Sequence, residues 1–503
     1  MVQLSIEPIV LDEISTDLER IIEKTPSPLT KRNGKARVYF NEFNILMENT
    51  TYLPLVSGSL QVYAQTDLEV SKNYEFMPFL FHNDSPDKIF SQYNDPSVAA
   101  FSISMWNVNL SLEIARRVKE KFPESLIVVG GPHVPFDAED WFKRNPFVDV
   151  AVRSDGERTF TEILKRNLTS RDFIGIHGTS YVNAEEVFIK NGERAIEKDL
   201  DVYPTPYIEG GPFDELVKNS DINFQAIVET NRGCPFKCSF CFWGNDLNTK
   251  FRHFSLVRVE QIVDWLGKNK IEYVFCADSN FGMFKNDPKK ARILVKAKEK
   301  YGFPKRFRVC YGKNAENSIF ETAKILSDAD LAKGITLSRQ SNDPETLRIN
   351  NRKNIPVAMY NELEQRYHEA GMSTYTEMIL GLPGETYESF KKGLEEILQG
   401  SVNNQSYIFH LQIYPNTLLG NPDFQKEHGL IIKNIPLTEV HGVVHNKNSV
   451  LETEDMVVET NTMSVEDWQR GSVLSWFSQF SHGLGAGFYI SNYLLFLNLL
   501  IKN

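Results

Sequence analysis

Cysteine is scarce in this chain: 5 among 503 residues, none before Cys234 and none after Cys310. So sparse a set cannot frame a disulfide-stapled secreted fold. Basic charge is also in short supply, with 55 Lys and Arg against 66 Asp and Glu and a net charge of −11. No Lys/Arg stripe stands out, which excludes the electrostatic footprint of a nucleic-acid binder, and no nucleic acid is expected as substrate. Met1 to Glu23 mixes acids with apolar residues and lacks a basic segment followed by an apolar one, so no signal peptide is predicted. Internal repeats and low-complexity tracts are missing as well. At this length one hydrophobic core does not suffice, and roughly two to four domains are expected.

What cysteine there is concentrates in one stretch. Cys234, Cys238 and Cys241 fall within eight positions, in Gly233-Cys234-Pro235-Phe236-Lys237-Cys238-Ser239-Phe240-Cys241-Phe242-Trp243. Thiolates are soft ligands for zinc or iron-sulfur centres. With no fourth cysteine nearby, three ligands leave a 4Fe-4S cluster with one open iron, a place for a substrate or cofactor to coordinate. The alternative is a structural zinc site with His253 as fourth ligand. The aromatic Phe240, Phe242 and Trp243 suit an apolar cluster pocket better. Cys276 and Cys310 sit in apolar, strand-like runs and read as small buried hydrophobes without chemistry. The CxxxCxxC spacing, with aromatic Phe240 before the last cysteine, resembles the radical S-adenosylmethionine (SAM) enzymes. An oxygen-sensitive centre points to the reducing cytoplasm. Absence of an N-terminal cysteine triplet excludes the methylthiotransferase pattern, and absence after Cys310 excludes C-terminal auxiliary clusters.

Ahead of this loop the chain alternates strand-like and helix-like runs. From Arg37-Val38-Tyr39-Phe40 it passes to Ala99–Trp106 as a buried strand, Ser111–Phe122 as an amphipathic helix and Ser125–Gly131 as the next strand. Such units stack into a doubly wound, Rossmann-like parallel sheet whose ligands bind at the strands' carboxyl ends. A Gly-Gly turn alone is weak evidence, a tight loop by itself. In company, the ordered segments Tyr52-Leu53-Pro54-Leu55 with Gly58, Phe101–Asn107, Val129-Gly130-Gly131-Pro132 and Ser154-Asp155-Gly156-Glu157 resemble cobalamin-binding domains fused ahead of radical SAM cores. The resemblance implies cobalamin contacts at Tyr52, Leu53, Gly58, Ser102, Ser104, Trp106, Gly130, Gly131 and Glu157. Two departures stand out. Ser-Asp-Gly-Glu replaces the usual Gly-Glu-Gly-Glu, and no Asp-x-His-x-x-Gly loop occurs, His82 and His133 lying in other contexts. The cobalt is therefore expected to lack a histidine ligand, with the stretch Asn49–Gly58 as a loop over its lower face and Tyr52 as a neighbour. Residues 176–222, with Pro204 and Pro206, read as a linker.

From Phe224 onward strand, loop and helix repeat, with six strands predicted near Phe224, Ile271, Phe307, Ile335, Thr376 and Tyr407. Polar residues at their ends suit an open barrel. The resemblance implies a partial (β/α)6 radical SAM core over 223–425. It implies SAM contacts at Phe240, Asp278, Ser279, Asn280, Ser338, Gln340, Gly381 and Leu382, although each strand-end polar residue taken singly also reads as a turn or cap. The full expectation is an extension over 1–36, a cobalamin domain over 37–175, the linker, the core, and a small mainly helical region over 426–503. The uncharged run 488–501 reads as a core or interface helix rather than a membrane span, and the chain's stop there as earlier than in many relatives. The resemblance implies a methyltransferase acting on an unactivated carbon of a small-molecule substrate, through a 5′-deoxyadenosyl radical and methylcobalamin, with an external electron donor such as a flavodoxin or ferredoxin. An oxidase or rearrangement enzyme without methyl transfer, and a non-catalytic cobalamin sensor, are the alternatives.

Overall fold

The computed structural model describes residues 34–45, 47, 49–244, 250–312, 316–332, 334–400, 405–437 and 450–483, with Leu29 and Gly487. Most of the 1–36 extension, Lys313 and Asn314 at the third core strand, and the run 488–501 lie outside the described residues. The chain divides into two units. The first holds the residues up to Ile227 with Arg252–Trp265 and Pro436–Glu454; the second holds Val228–Phe251, Leu266–Ile435 and Asp455 onward.

In the first unit, β1 (Ala36–Asn44), β3 (Tyr74–Phe76), β4 (Leu80–His82), β5 (Pro96–Ser102), β6 (Leu126–Gly130) and β7 (Val150–Val152) form one sheet. β3, β4 and β5 all pair parallel to β1, and β5–β6 and β6–β7 continue in parallel. β1, β5 and β6 are buried along nearly their whole length. That is why they read as continuous apolar runs rather than as an alternation: both faces of a parallel sheet are covered. The helix Val108–Lys121 turns Leu110, Ile114, Ala115 and Val118 inward at three- to four-residue spacing. Parallel strands end on one edge, so Ser102–Trp106, Gly130-Gly131 and Ser154–Glu157 follow the carboxyl ends of β5, β6 and β7 along that edge.

Two stretches of this unit depart from the expectation. Residues 176–222 hold β8 (Thr179–Val182) and β9 (Phe188–Lys190), which extend the sheet antiparallel beyond β7. A fully buried Arg153 pins them, donating to the Thr179 carbonyl at 2.9 Å and the Asn191 carbonyl at 2.6 Å and pairing with Glu193 at 3.1 Å. Asn49–Gly58, expected as a loop, is β2 (Thr50–Tyr52) followed by the helix Leu55–Ala64. β2 pairs parallel with β10 (Asn223–Val228) through Thr50–Tyr52. The helix starts at Pro54, which cannot offer a backbone donor, and the buried Glu42 carboxylate accepts the next orphan donors, Ser57 N at 2.7 Å and Val56 N at 3.4 Å.

Two-residue strands β11 (Asn231–Arg232) and β12 (Arg252–His253) flank the cysteine loop in sequence. In the second unit, β13 (Tyr273–Phe281) pairs parallel with β14 (Arg306–Tyr311), and β15 (Ile335–Thr336), β16 (Thr374–Leu380) and β17 (Gln405–His410) form a parallel set. Their burial alternates, one face covered and the other open. Cys276 is fully buried, as expected. Cys310 is exposed on the open face of β14 and is no buried hydrophobe, because the strand's alternation puts Phe307, Val309 and Tyr311 inside instead. In the C-terminal region the described residues hold strand as well as helix: β18 (Ile431–Pro436) and β19 (Thr453–Glu459) precede the helix Val465–Ser478. Among the described residues no helix is long and apolar enough to cross a membrane.

Candidate functional site

The site is built on the end of β13, which runs past Cys276 to Phe281. Its register with β14 slips between Cys276↔Val309 and Phe281↔Tyr311, so Ala277–Asn280 bulges out of the ladder. A bulge re-aims side chains, and here three consecutive residues meet the cysteine loop. Asp278 accepts from Thr230 N at 2.7 Å, from the Thr230 hydroxyl, from Asn231 N at 3.1 Å and from Asn231 Nδ2 at 2.6 Å. The Ser279 hydroxyl donates to the Gly233 carbonyl at 2.8 Å. Asn280 Nδ2 lies 3.3 Å from Cys234 Sγ. Gly233 itself has φ +103, a turn that suits glycine.

From the other side, Ser239 is clamped by Asn350, whose carbonyl accepts Ser239 N at 3.1 Å and whose Oδ1 accepts the Ser239 hydroxyl at 2.7 Å. Leu419 N donates to the Ser239 carbonyl at 3.1 Å. Half-buried Phe240 packs on Leu382, Leu411, Leu419 and Val457. Arg352, 4% exposed, puts its guanidinium beside the Cys238 thiol and 6.0 Å from the centre of the Phe240 ring. It is fixed there by the Arg339 carbonyl at 3.0 Å, Asn354 Oδ1 at 2.9 Å and the Ser338 carbonyl at 2.5 Å. Burial pulls this guanidinium below its ordinary pKa while the neighbouring thiol opposes the shift. Asn350 and Arg352 were missed in the sequence. Nothing in Asn350-Asn351-Arg352, over a hundred positions from the cysteines, signals a contact with them.

The donor set fits an iron-sulfur cluster. Cys234 and Cys238 are 7% exposed and Cys241 is half-buried, in a pocket with an aromatic wall and hydrogen-bond donors aimed at sulfur. Among the described residues no three His, Cys, Asp or Glu side chains converge as ligands of one metal ion do, these thiols included. Ligands to separate corners of a cluster have no need to.

The other expected SAM contacts divide. Gln340 sits at φ +65, locked by Gln340 N to the Glu377 carbonyl at 2.8 Å and Ile379 N to the Gln340 carbonyl at 2.9 Å, and its buried Oε1 has no hydrogen-bond partner. A buried acceptor left without a donor carries a desolvation cost. The Ser338 hydroxyl donates to Glu377 Oε2 at 2.5 Å. Gly381 has φ +96. Leu382, 1% exposed, turns its side chain into the core. Asp278, also 1% exposed, spends its carboxylate on the loop, and burial pushes its pKa up.

In the first unit, Ser102, Trp106 and Gly130 are half-buried and Gly131 exposed at the carboxyl edge, whereas Ser104 and Glu157 are buried. Ser104 N donates to Asn107 Oδ1 at 2.8 Å, and Asn107 Nδ2 reaches the Phe43 and Ser102 carbonyls at 3.1 Å each, so one amide ties the ends of β1 and β5. Gly131 is required by the protein itself: at φ +108, a Cβ there would stand 2.4 Å from the Ile103 carbonyl oxygen. At Gly58 a Cβ would meet Phe213 at 2.5 Å, so close helix packing accounts for that glycine. Leu53 is fully buried, and Tyr52 lies half-buried on β2.

Residues 228–397 match the radical SAM superfamily and residues 78–164 the B12 binding domain. The chain is 36% identical over 441 residues to the 2-(S-pantetheinyl)-carbapenam-3-carboxylate methyltransferase of Streptantibioticus cattleyicolor, covering 87% of this chain and 63% of that protein. It is 34% identical over 436 residues to the cobalamin-dependent radical SAM methyltransferase TokK of Streptomyces tokunonensis, covering 86% and 63%. It thus spans 63% of the length of each. Among solved structures, the radical S-adenosylmethionine methyltransferase TsrM from Kitasatospora setae shares the fold with a TM-score of 0.57 at 16% identity, over 76% of this chain and 74% of that one. The cobalamin-dependent S-adenosylmethionine radical enzyme OxsB does so with a TM-score of 0.57 at 17% identity, over 78% and 55%.

Proposed function

The chain carries a B12-binding region and a radical SAM domain and is homologous to the cobalamin-dependent radical SAM methyltransferases; from that premise we propose that it methylates an unactivated carbon of a small-molecule substrate. The observation that carries this reading is the cysteine loop, one CxxxCxxC held by Ser279 at Gly233, Asn280 at Cys234, Asn350 at Ser239 and Arg352 at Cys238. Bound there, a 4Fe-4S cluster would supply the electron that cleaves SAM to a 5′-deoxyadenosyl radical, and methylcobalamin in the first unit would supply the methyl group.

The chain's own residues orient and exclude. Cys234, Cys238 and Cys241 would hold the cluster, Asn280 and Arg352 direct donors at the Cys234 and Cys238 sulfurs, and Asp278 fixes the segment before the loop. Phe240, Ser279, Ser338, Gln340 and Gly381 are the SAM contacts, Gln340 Oε1 accepting a hydroxyl. Ser102, Trp106, Gly130 and Gly131 receive cobalamin at the carboxyl edge, with Ser104, Glu157 and Tyr52 beside them. The first sheet then works as a doubly wound cobalamin fold and the second unit as a partial (β/α)6 barrel. Electrons come from an external flavodoxin or ferredoxin in the cytoplasm.

The test is anaerobic reconstitution with iron, sulfide and cobalamin, followed by incubation with reductant, SAM and candidate metabolites, the carbapenam carboxylate of the relative first. Methylated product together with 5′-deoxyadenosine and S-adenosylhomocysteine is expected. Formation of 5′-deoxyadenosine with a dehydrogenated or rearranged product and no methyl gain would replace the reading by a cobalamin-using radical oxidase or rearrangement enzyme.

A further inference from the structure

One asparagine joins two of the loops that carry expected SAM contacts. The short helix Pro344–Ile349 ends at Asn350, whose N donates to the Thr346 carbonyl at 3.1 Å. Asn351 then takes φ +51, a left-handed turn that asparagine tolerates, and Arg352 N returns to the Leu347 carbonyl at 2.8 Å. The reversal leaves the Asn350 side chain fully buried. Its Oδ1 accepts the hydroxyl of Ser239, which lies between Cys238 and Phe240, at 2.7 Å. Its Nδ2 donates to the Pro383 carbonyl at 2.9 Å, in the turn 381–385 that follows β16, and to the Thr346 carbonyl at 2.8 Å.

The two ends of one amide thus hold two different loops. A carboxamide is suited to this, because it presents an acceptor and two donors together, whereas a carboxylate would set an oxygen against the Pro383 and Thr346 carbonyls. A buried polar group satisfied at every atom fixes a spacing as well as a contact. Phe240 follows Ser239 directly, and Gly381 and Leu382 precede Pro383. Phe240 packs against the buried apolar cluster of Leu382, Leu411, Leu419 and Val457. An aromatic ring over an apolar floor suits a flat base and not a charged amino-acid group, and the flat part of SAM is its adenine.

We propose that Asn350 is the positioning residue of the nucleoside end of the SAM site: strapped between Ser239 and Pro383, it sets the gap between Phe240 and the turn 381–385. It acts through those two loops, touches no SAM and takes no part in radical formation. This rests on the SAM contacts proposed above and names what holds them in register.

Binding of SAM and of 5′-deoxyadenosine to the cluster-loaded protein tests it, with affinities counted per intact cluster. Asn350→Asp keeps the acceptor for Ser239 and removes the donor to Pro383, and Ser239→Ala cuts the strap at its other end. Asn350→Asp is expected to bind both probes about tenfold more weakly, the worth of one buried hydrogen bond left unmade, with iron per chain near that of the unaltered protein. Ser239→Ala is expected to weaken both by about threefold or more. A strap cut at one end loses nothing further when cut at the other, so the double variant should bind no worse than Asn350→Asp alone, whereas independent damage would multiply. Unchanged affinity in Asn350→Asp, losses that multiply in the double variant, or weaker SAM binding with unchanged 5′-deoxyadenosine binding overturns the proposal. Should Asn350→Asp fail to hold a cluster, Ser239→Ala decides: weaker binding of both probes supports the strap and unchanged binding overturns it. Gln340→Ala reports on the SAM placement itself. A loss there with none in Asn350→Asp removes the strap alone, no loss in either removes both, and a loss in Asn350→Asp alone keeps the strap and strikes Gln340 from the contacts.

Discussion

Asp278 takes four hydrogen bonds from two residues of the segment leading into the cysteine loop, and Lys290 reaches the same Thr230 hydroxyl at 2.8 Å while pairing with Asp287 at 2.9 Å. All of these side chains are buried. Removing the carboxylate strands the buried Thr230 and Asn231 donors, at about 1–3 kcal/mol for each donor left unsatisfied. Asp278→Ala should therefore lower the melting temperature and cut iron per chain after reconstitution, as measured by thermal unfolding and metal analysis. Arg352 acts on the same loop through charge. Replacing the buried cation beside the Cys238 sulfur makes added negative charge there less welcome. The reduction potential of the cluster in Arg352→Gln should fall, and redox titration followed by electron resonance reads it. An unchanged potential would mean that the guanidinium only packs.

At the scale of elements, the turn after β6 and the helix starting at Val108 carry the clearest consequences. Gly131→Ala would combine an unfavourable φ of +108 with a Cβ 2.4 Å from a carbonyl oxygen. Backbone has to move, at a cost of roughly 1–3 kcal/mol or more, and chemical denaturation of the apoprotein should show it. The helix Val108–Lys121 is capped from far along the chain: Glu452, fully buried, accepts Asn109 N and Leu110 N at 2.9 Å each, and Asn109 Nδ2 holds the Leu451 carbonyl at 2.8 Å. Burial pushes Glu452 up to about 7, the two amide donors opposing. For an acid with a raised folded pKa, the stabilising contribution is complete below the ordinary value near 4.5 and is lost as pH rises through about 7. The loss is on the order of 3 kcal/mol at most across that window. Hydrogen exchange at Asn109 and Leu110 should accelerate between pH 5 and 8 more than solvent chemistry accounts for, and Glu452→Gln should flatten that excess. If the excess persists in Glu452→Gln, another group sets it.

For the whole molecule, the thiols belong to the second unit and the B12-binding match, residues 78–164, to the first. Cys238→Ala should lose iron and SAM cleavage yet retain cobalamin, as absorbance and cobalt analysis will show. Loss of both would mean that the cluster is needed to build the cobalamin site. The retained cobalamin should be base-off, with no nitrogen splitting in its Co(II) resonance, since the chain lacks an Asp-x-His-x-x-Gly loop. His133→Ala should leave that signal as it is.

The cysteine spacing, the aromatic Phe240 and the order of glycine-bearing strand ends are local patterns, and they sufficed to point to a B12-binding region ahead of a radical SAM region and to the positions of the core strands. Hydrophobic runs of buried parallel strands are legible because burial on both faces leaves little choice of residue. Pairing partners were not legible. β2 read as a loop because three residues carry no period, and β8 and β9 read as a linker because strands of four and three residues look like coil until a neighbour such as Arg153 supplies their hydrogen bonds. The slip of β13 against β14 left no mark in the sequence, yet it is what carries Asp278 to the segment before the cysteine loop. Cys276 and Cys310 sit in similar apolar runs, and only the face each strand presents, set by what packs against it, buried one thiol and opened the other beside Arg308.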